Sequence, residues 1–494
     1  MKLSEVLAEA SVAEWVGDAS VEVSGLAYST ADVADGQLFF CVPGATADGH
    51  DFAGAARDAG AAALVVERRL EVDLPQAVVA DARAAMAPAA VRFWGDPTAE
   101  LFVAGITGTN GKTTTAFLVR HVLERTGTQT GLLGTVKRVV GGESEEVERT
   151  TPEAIDLQRT FRRMLDAGDR GCVMEVSSHA LALRRTDGVR FTAATFINLT
   201  QDHLDFHSGM EDYYGAKRRL FDPAAAGPGG AAVNVADPYG ARLAGELRAA
   251  GFQPLRTFSP SGGDADYLAA DVRFDAKGST FTCRTPDASF DVTLPLPGHF
   301  NVENALAAIA TAAGLGVAPA EAGAALADAE LVPGRMETID EGQPFGVLVD
   351  YAHTPDSVEN VLRAARKLTS GRLIAVVGAG GDRDRDKRPL MGGAAARLAD
   401  LVVVTSDNPR SEDPAAIINQ IVGGMSGPDA RAAIEVEPDR RVAIGLAVAR
   451  AAEGDTVVIA GKGHEQGQEF EGGRKIPFDD RDVAREQLRA GAPT

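Results

Sequence analysis

The sequence predicts an α/β protein of three domains built on mostly parallel sheets. Three observations lead there. The chain has 494 residues, too many for one ordinary core. Short apolar runs alternate with helix-like stretches along nearly its whole length, and proline-containing breaks near Pro97 and at Pro333-Gly334 divide it.

Residues 1–98 set runs such as QLFFCV and AAALVV between Gly/Asp-rich turns and Ala-rich helical stretches, which predicts a small α/β domain. In residues 99–334 the strands LFVAGIT, GCVMEV, ATFINL and GAAVNV interleave with helical segments, the pattern of a parallel sheet covered by helices. Residues 335–494 repeat it with VLVDY, LIAVVG, LVVVTS and TVVIAG, which predicts a Rossmann-like unit with its ligands at the carboxyl ends of the strands. No repeat of fixed period is present, and the loosest segments are AAAGPGGAA and SPSGGDAD.

The net charge of −21 argues against nucleic acid as a partner, because binding by counterion release needs a cationic surface. An anionic ligand must then be held by local groups. No apolar run reaches the roughly 18 residues that span a bilayer, and the start MKLSEVLAEASVAEW lacks the features of a signal peptide, so a cytoplasmic protein without a membrane partner is expected. Cys41, Cys172 and Cys283 are too scattered for a disulfide framework or a zinc site.

The segment FVAGITGTNGKTTTAFLVRHVLE reads as strand, Gly-rich turn and amphipathic helix, the context of a phosphate cradle. Backbone N–H groups of Gly108, Thr109, Asn110, Gly111, Lys112, Thr113 and Thr114 converge at a helix N-terminus. Lys112 adds a charge, and Thr113 offers a hydroxyl to Mg²⁺. Ile106 stands where the longer P-loop string would have its first glycine. The loop predicts binding of a nucleoside triphosphate and does not choose among motors, switches and enzymes.

Downstream, the buried-type strand GCVMEV ends in Glu175, a candidate Mg²⁺ ligand. ATFINL runs into TQDHLDFH and places His203 in a comparable loop, as metal ligand or hydrogen-bonding partner. Lys217, in EDYYGAKRRLF, reads by default as a solvated helix lysine; buried, with a lowered pKa, it could react with CO₂ to give a carbamate, an anionic oxygen ligand. In the last domain LVVVTS delivers Asp407, Asn408, Pro409 and Arg410. Arginine reads a carboxylate with two parallel N–H bonds, and an acid with an amide holds an ammonium, so this loop suits the charged end of an amino acid. The run DRDRDKR reads by itself as a solvated charged loop.

Taken together, GTNGKTTT, MEVSSH, NLTQDHLDFH, YYGAKRRLF, GHFNVENALAAIA, PGRMETI and DYAHTPDSVENVL resemble, in this order, the motifs of the Mur ligases. TTPEA, DNPR and GKGHE resemble those of its MurE type, and the resemblance covers essentially the whole chain. It implies an N-terminal domain for a UDP-sugar peptide, a central P-loop ATPase domain and a C-terminal Rossmann-like domain that brings the amino acid. The activity implied is ATP-dependent, Mg²⁺-requiring amide ligation on a cell-wall precursor in the cytoplasm. The partners implied are UDP-N-acetylmuramoyl-L-alanyl-D-glutamate and meso-diaminopimelate, taken up by a monomer.

Carried over by position, the resemblance implies ATP contacts from Gly108 to Thr114 and from Asn301, Arg335 and Asp350. It implies catalytic roles for Lys112, Glu175, His203 and Lys217, with metal held by Thr113, Glu175, His203 and a carbamylated Lys217. Thr150, Thr151, Ser177 and Arg185 match the muramoyl-peptide positions, and Ser29, Ala45, Thr46 and Ala47 the uridine side. Tyr28-Ser29-Thr30 stands where many relatives carry Asp-Ser-Arg. Arg383, Gly461 and Glu465 join Asp407, Asn408, Pro409 and Arg410 as amino-acid contacts, a set that accompanies diaminopimelate; L-lysine as the amino acid and a P-loop switch are the competing expectations.

Overall fold

The computed structural model of the chain describes residues 1–44, 47–147, 149–222, 227–275 and 277–491. It forms two compact units. The first comprises Met1–Thr107, Gly127–Ala194 and Ala216–Gly230; the second comprises Gly108–Thr126, Thr195–Gly215 and Ala231–Thr494. Residues 1–98 lie in the first unit, residues 335–494 lie in the second, and the stretch 99–334 is divided between them. Among the described residues no helix is long and apolar enough to cross a membrane.

In the first unit, five strands run in the order Val12–Val16, Gln76–Val79, Ala63–Val66, Leu38–Phe40, Leu26–Ala27, with only the Val12–Val16 edge antiparallel. Alternation along these strands sends Leu38, Phe40 and Val65 to one core and Phe39, Leu64 and Val66 to another. Helix Ala82–Trp94 covers the first of these; it starts where Asp81 accepts from the Ala84 N–H and stops at Gly95 in the left-handed region. The same unit carries Phe102–Thr107 beside Gly171–Glu175 and Thr130–Leu133, all parallel. Both LFVAGIT and GCVMEV are therefore strands, and Glu175 falls at a carboxyl end as expected.

In the second unit, helix Lys112–Arg125 packs against the Ala-rich helix His299–Gly314. Strands Gly230–Asn234, Leu255–Ser259 and Tyr267–Asp275 run parallel, and an antiparallel meander of Gly278–Arg284 and Ser289–Leu294 extends them. The meander was not expected from the sequence: its strands alternate buried and exposed residues, as a half-solvated sheet does, in place of the continuous apolar runs that mark parallel strands.

The C-terminal sheet has the order Glu337–Thr338, Gly346–Asp350, Thr456–Ala460, Leu373–Val377, Leu401–Val404, Ala433–Val436. All pairings are parallel except that of the first strand. Four of these are the runs expected from sequence. Asp350 ends its strand, and the Gly378–Gly381 turn, Ser406–Arg410 and Gly461–Glu465 follow carboxyl ends of strands, where a doubly wound sheet collects its ligands.

Candidate active site

The phosphate loop belongs to the second unit. Gly111 precedes helix Lys112–Arg125 with φ of 86°, and a Cβ there would lie 2.4 Å from Asn304 Oδ1, so both conformation and space demand glycine. Ile106 is a fully buried strand residue, which accounts for a loop that begins only at Gly108. The turn is anchored on the segment after the strand ATFINL. Thr109 N–H donates to Asn198 O at 3.0 Å, and Asn110 N–H donates to Asn198 Oδ1 at 2.9 Å. Lys112 Nζ donates to the carbonyls of Gly108 and Thr109 at 2.9 and 2.8 Å, which keeps the ammonium over the loop.

A cavity of about 370 Å³ opens beside the loop, lined by Asn110, Gly111 and Thr114 of the loop and its helix together with Arg335, Asp350 and Tyr351. Arg335 donates to Thr113 Oγ1 at 3.0 Å and lies over the Tyr351 ring at 4.6 Å from its centroid. Burial pushes the Asp350 carboxyl up to about 6 against the opposing pull of Arg335 and of backbone donors; Met336 N–H donates to it at 2.7 Å. Asn301 is buried and spends its amide inside the helix turn: Nδ2 donates to Pro297 O at 2.8 Å, and Oδ1 accepts from Asn304 at 3.2 Å. Its neighbours Phe300, Glu303 and Asn304 face the cavity.

Glu303 was not singled out from sequence. Burial pushes its carboxyl up to about 8, reinforced by Asp237 and Asp356, while Asn198 Nδ2 donates to it at 3.2 Å. A carboxyl that keeps its proton at neutral pH lessens the repulsion of a phosphate chain from this acidic wall.

The loop of His203 lies in the same unit. His203 has φ of 57°, and its Nε2 is 3.5 Å from Asp202 Oδ2. Asp202 also accepts from Lys387 Nζ at 2.9 Å.

The amino-acid loops converge at the carboxyl ends of the C-terminal strands. Asn408 Nδ2 donates to Glu465 Oε2 at 2.9 Å, Lys462 Nζ donates to Asn408 Oδ1 at 2.8 Å and Glu465 Oε2 at 2.9 Å, and Tyr351 O–H donates to Glu465 Oε1 at 3.2 Å. Burial raises the proton affinity of Asp407, but Lys462 and Arg440 outweigh it and hold the carboxyl below its usual range. Arg440, fully buried, forms two bonds to Asp480 at 2.7 and 2.6 Å. Gly461 has φ of 127°, and a Cβ there would meet Asp407 Oδ2 at 2.5 Å. Arg410 donates to Glu469 at 2.9 Å and to Gly381 O at 2.8 Å; Pro409 is buried beside it. Arg383 is exposed, with its Nη1 on Asp382 O at 2.9 Å.

Lys462, Arg440 and Asp480 escaped the sequence reading. Lys462 stands inside GKGHE, between two expected contacts, so a signal existed; Arg440 and Asp480 carry none, because their pairing spans 40 positions.

The first unit gathers a separate group. Glu175 is buried and accepts from the backbone N–H and hydroxyl of Thr135 at 2.7 and 3.1 Å. Thr135 Oγ1 lies 3.0 Å from Thr150 Oγ1, Thr151 Oγ1 donates to Glu175 O at 2.9 Å, and Ser177 N–H donates to Thr151 Oγ1 at 3.1 Å. Arg185 donates to Thr151 O at 3.2 Å and lies 2.9 Å from Glu153, which Arg83 also meets at 2.8 Å. Thr150, Thr151, Glu175, Ser177 and Arg185 are thus one cluster.

Lys217 is 1% exposed, so the solvated-lysine reading is corrected: helix Met210–Arg218 turns this residue inward. Ser29 is half-buried at the start of a short 3₁₀ turn, and Ala47 is exposed. Ala45 and Thr46 lie outside the described residues. Tyr28, at the departure from the Asp-Ser-Arg pattern, donates to Asp156 at 2.6 Å.

Three family descriptions match the chain in the order in which its domains were read. "Mur ligase family, catalytic domain" matches residues 22–93, "Mur ligase middle domain" residues 106–312, and "Mur ligase, glutamate ligase domain" residues 334–463. A UDP-N-acetylmuramoyl-L-alanyl-D-glutamate–2,6-diaminopimelate ligase of Streptomyces coelicolor is 48% identical over 481 residues, 96% of this chain and 94% of that protein. One of the same name from Geobacillus kaustophilus is 46% identical over 475 residues, 95% of each. Among solved structures, a ligase of that name is 32% identical with a TM-score of 0.68 and full coverage of both chains. A Mycobacterium tuberculosis folylpolyglutamate synthase, at 18% identity and a TM-score of 0.61 over 83% of this chain and 95% of that one, shares the fold. The chain belongs to the Mur ligase family, and to its MurE type.

Proposed function

We propose that the chain is the ATP-dependent ligase that joins meso-2,6-diaminopimelate to UDP-N-acetylmuramoyl-L-alanyl-D-glutamate, in cell-wall precursor synthesis. The observation that carries this reading is that one compact unit holds both a phosphate loop opening on a cavity and a buried acid, amide and arginine cluster suited to an amino acid. The names of relatives that match along nearly the whole chain support the same substrates.

The chemical problem is that a carboxylate is a poor electrophile. Its attack on the γ-phosphorus of ATP gives an acyl phosphate and ADP; the amine then attacks the acyl carbon and phosphate leaves. In this reading Gly108 to Thr114 bind the phosphates, and Lys112 stabilises charge on the phosphoryl oxygens as it transfers. Arg335 and Asp350 bind toward the ribose and phosphates, and Asn301 supports the adenine side. Arg410 and Arg383 take the distal carboxylate of diaminopimelate, and Asp407, Asn408, Gly461 and Glu465 take its ammonium. Thr150, Thr151, Ser177 and Arg185 hold the muramoyl peptide, with Ser29 and Ala47 toward uridine.

Among the described residues no group of three or more His, Cys, Asp or Glu side chains is arranged to hold a metal ion by itself. That suits magnesium carried on a nucleotide, which keeps several waters and takes one or two protein ligands beside the phosphates. By their match to the family's motifs, Thr113, His203, Glu175 and Lys217 as its carbamate are the proposed ligands. Mg²⁺ would neutralise charge on the transferring phosphoryl group. The division into residues 1–98, 99–334 and 335–494, a cytoplasmic location and a monomeric state complete the proposal.

The test is phosphate release with purified chain, ATP and Mg²⁺. Release that needs both the UDP-muramoyl dipeptide and diaminopimelate is expected. L-Lysine outperforming diaminopimelate, or nucleotide turnover indifferent to both substrates, as in a P-loop switch, would overturn it.

A further inference from the structure

The segment after Arg383 and the loop before His203 are joined at two points. Gln201 Nε2 donates to Asp384 Oδ2 at 3.4 Å, and Lys387 Nζ donates to Asp202 Oδ1 at 2.9 Å. Asp202 and Lys387 are 3% and 5% exposed, so this is a buried ion pair, 185 positions apart in sequence. Burying two charges costs several kcal/mol of hydration that their attraction barely returns; what such a pair supplies well is a single geometry.

The second oxygen of Asp202 faces two imidazoles, His203 Nε2 at 3.5 Å and His353 Nε2 at 3.7 Å. His353 is itself oriented by Nδ1 on Tyr351 O at 2.7 Å. His203 holds φ of 57°, a conformation that a non-glycine residue keeps only where its surroundings over-determine it. A restraint on its immediate neighbour comes from Lys387, the first residue of helix Lys387–Leu398, four residues beyond Arg383.

We propose that Lys387 is a positioning residue that couples the amino-acid loop of Arg383 to the loop of His203: its ammonium holds the Asp202 carboxylate and so sets where His203 meets the divalent cation. The assignment rests on the ligase reading for the roles of Arg383 and His203. Ordering of residues 380–387 by the amino acid is thereby transmitted to the phosphoryl-transfer centre chiefly through the Asp202–Lys387 ion pair, beside the longer Gln201–Asp384 bond, with no direct contact of Lys387 with either ligand required.

The experiment compares wild type with Lys387→Met, Lys387→Arg and Asp202→Asn in the full chain. Mn²⁺ binding to the ADP-saturated protein, read by electron paramagnetic resonance, is measured beside steady-state kinetics. In Lys387→Met the Mn²⁺ dissociation constant should rise about tenfold or more and kcat fall roughly 30-fold or more, with KM for the amino acid moving less than about threefold. Lys387→Arg should recover most of both, and Asp202→Asn should shift Mn²⁺ in the same direction as Lys387→Met. Unchanged Mn²⁺ affinity and kcat with only a lower melting temperature would overturn the proposal. If Lys387→Met fails to fold, Asp202→Asn with wild-type Mn²⁺ affinity and kcat overturns it equally. Wild type without substrate-dependent phosphate release would sink the ligase reading instead, while the Mn²⁺ arm would still report on Lys387.

Discussion

The guanidinium of Arg335 donates to the hydroxyl of Thr113 at 3.0 Å, tying the first turn of the phosphate-loop helix to the start of the C-terminal domain. The same group lies over the Tyr351 ring and opposes the effect of burial on Asp350. One arginine that lines the cavity therefore touches Thr113, Tyr351 and Asp350. Arg335→Ala should lower kcat/KM for ATP about 100-fold, since a preorganised cation at a phosphoryl centre contributes on the order of 3 kcal/mol. Arg335→Lys should recover little, because a point charge cannot both stack on Tyr351 and reach Thr113. Steady-state kinetics over ATP concentration measure it, and a change under threefold for Arg335→Ala would count against the assignment.

Gly111 offers a cleaner test of the loop. Its φ of 86° is one that L side chains rarely adopt, and Asn304 Oδ1, 2.4 Å from where a Cβ would sit, would have to move to admit one. Gly111→Ala should cost about 1–3 kcal/mol of stability through conformational strain and steric conflict, and should abolish ADP binding. Thermal melting and calorimetric titration with ADP read the two effects separately.

Glu303 links the cavity to pH. Its folded carboxyl is raised from 4.5 to about 8, so the native state binds the proton more tightly than the unfolded chain. The stability this group contributes is fully present below the unfolded value and is lost as pH rises through the folded one, between about pH 4.5 and 8. With its partial exposure discounting the effect, the loss should be on the order of 2 kcal/mol. Glu303→Gln removes the titration. Its melting temperature relative to wild type should climb steadily across that window, and parallel curves would refute the shift.

Arg410 separates the two amino-acid readings. The Glu469 carboxylate and the Gly381 carbonyl orient its guanidinium at 2.9 and 2.8 Å. Arg410→Leu should lower kcat/KM for diaminopimelate about 100-fold, the loss of a two-pronged carboxylate contact, and leave any turnover with L-lysine nearly unchanged. Competition assays with both amino acids provide the measurement; an equal loss for both would show that Arg410 does not read the distal carboxylate.

The strands that carry the candidate site were legible because each is a continuous apolar run closed by turn residues, as at Gly171–Glu175 and Thr456–Ala460. The meander of Gly278–Arg284 and Ser289–Leu294 was not, since alternating burial gives no such run. The phosphate loop was legible for another reason: strand, turn and helix are contiguous, and the chemistry lies within a few residues.

By itself, then, the amino-acid order determined what is local: the apolar periods, the glycine that the helix entry at Gly111 requires, and the charged loops at strand ends. Tertiary structure alone decided which charges are buried and with whom. It turned Lys217 inward and brought Asp202 to Lys387 and Arg440 to Asp480. The physical reason is that a backbone period is set by near neighbours, whereas the desolvation of a charge depends on groups that only the folded chain brings within reach.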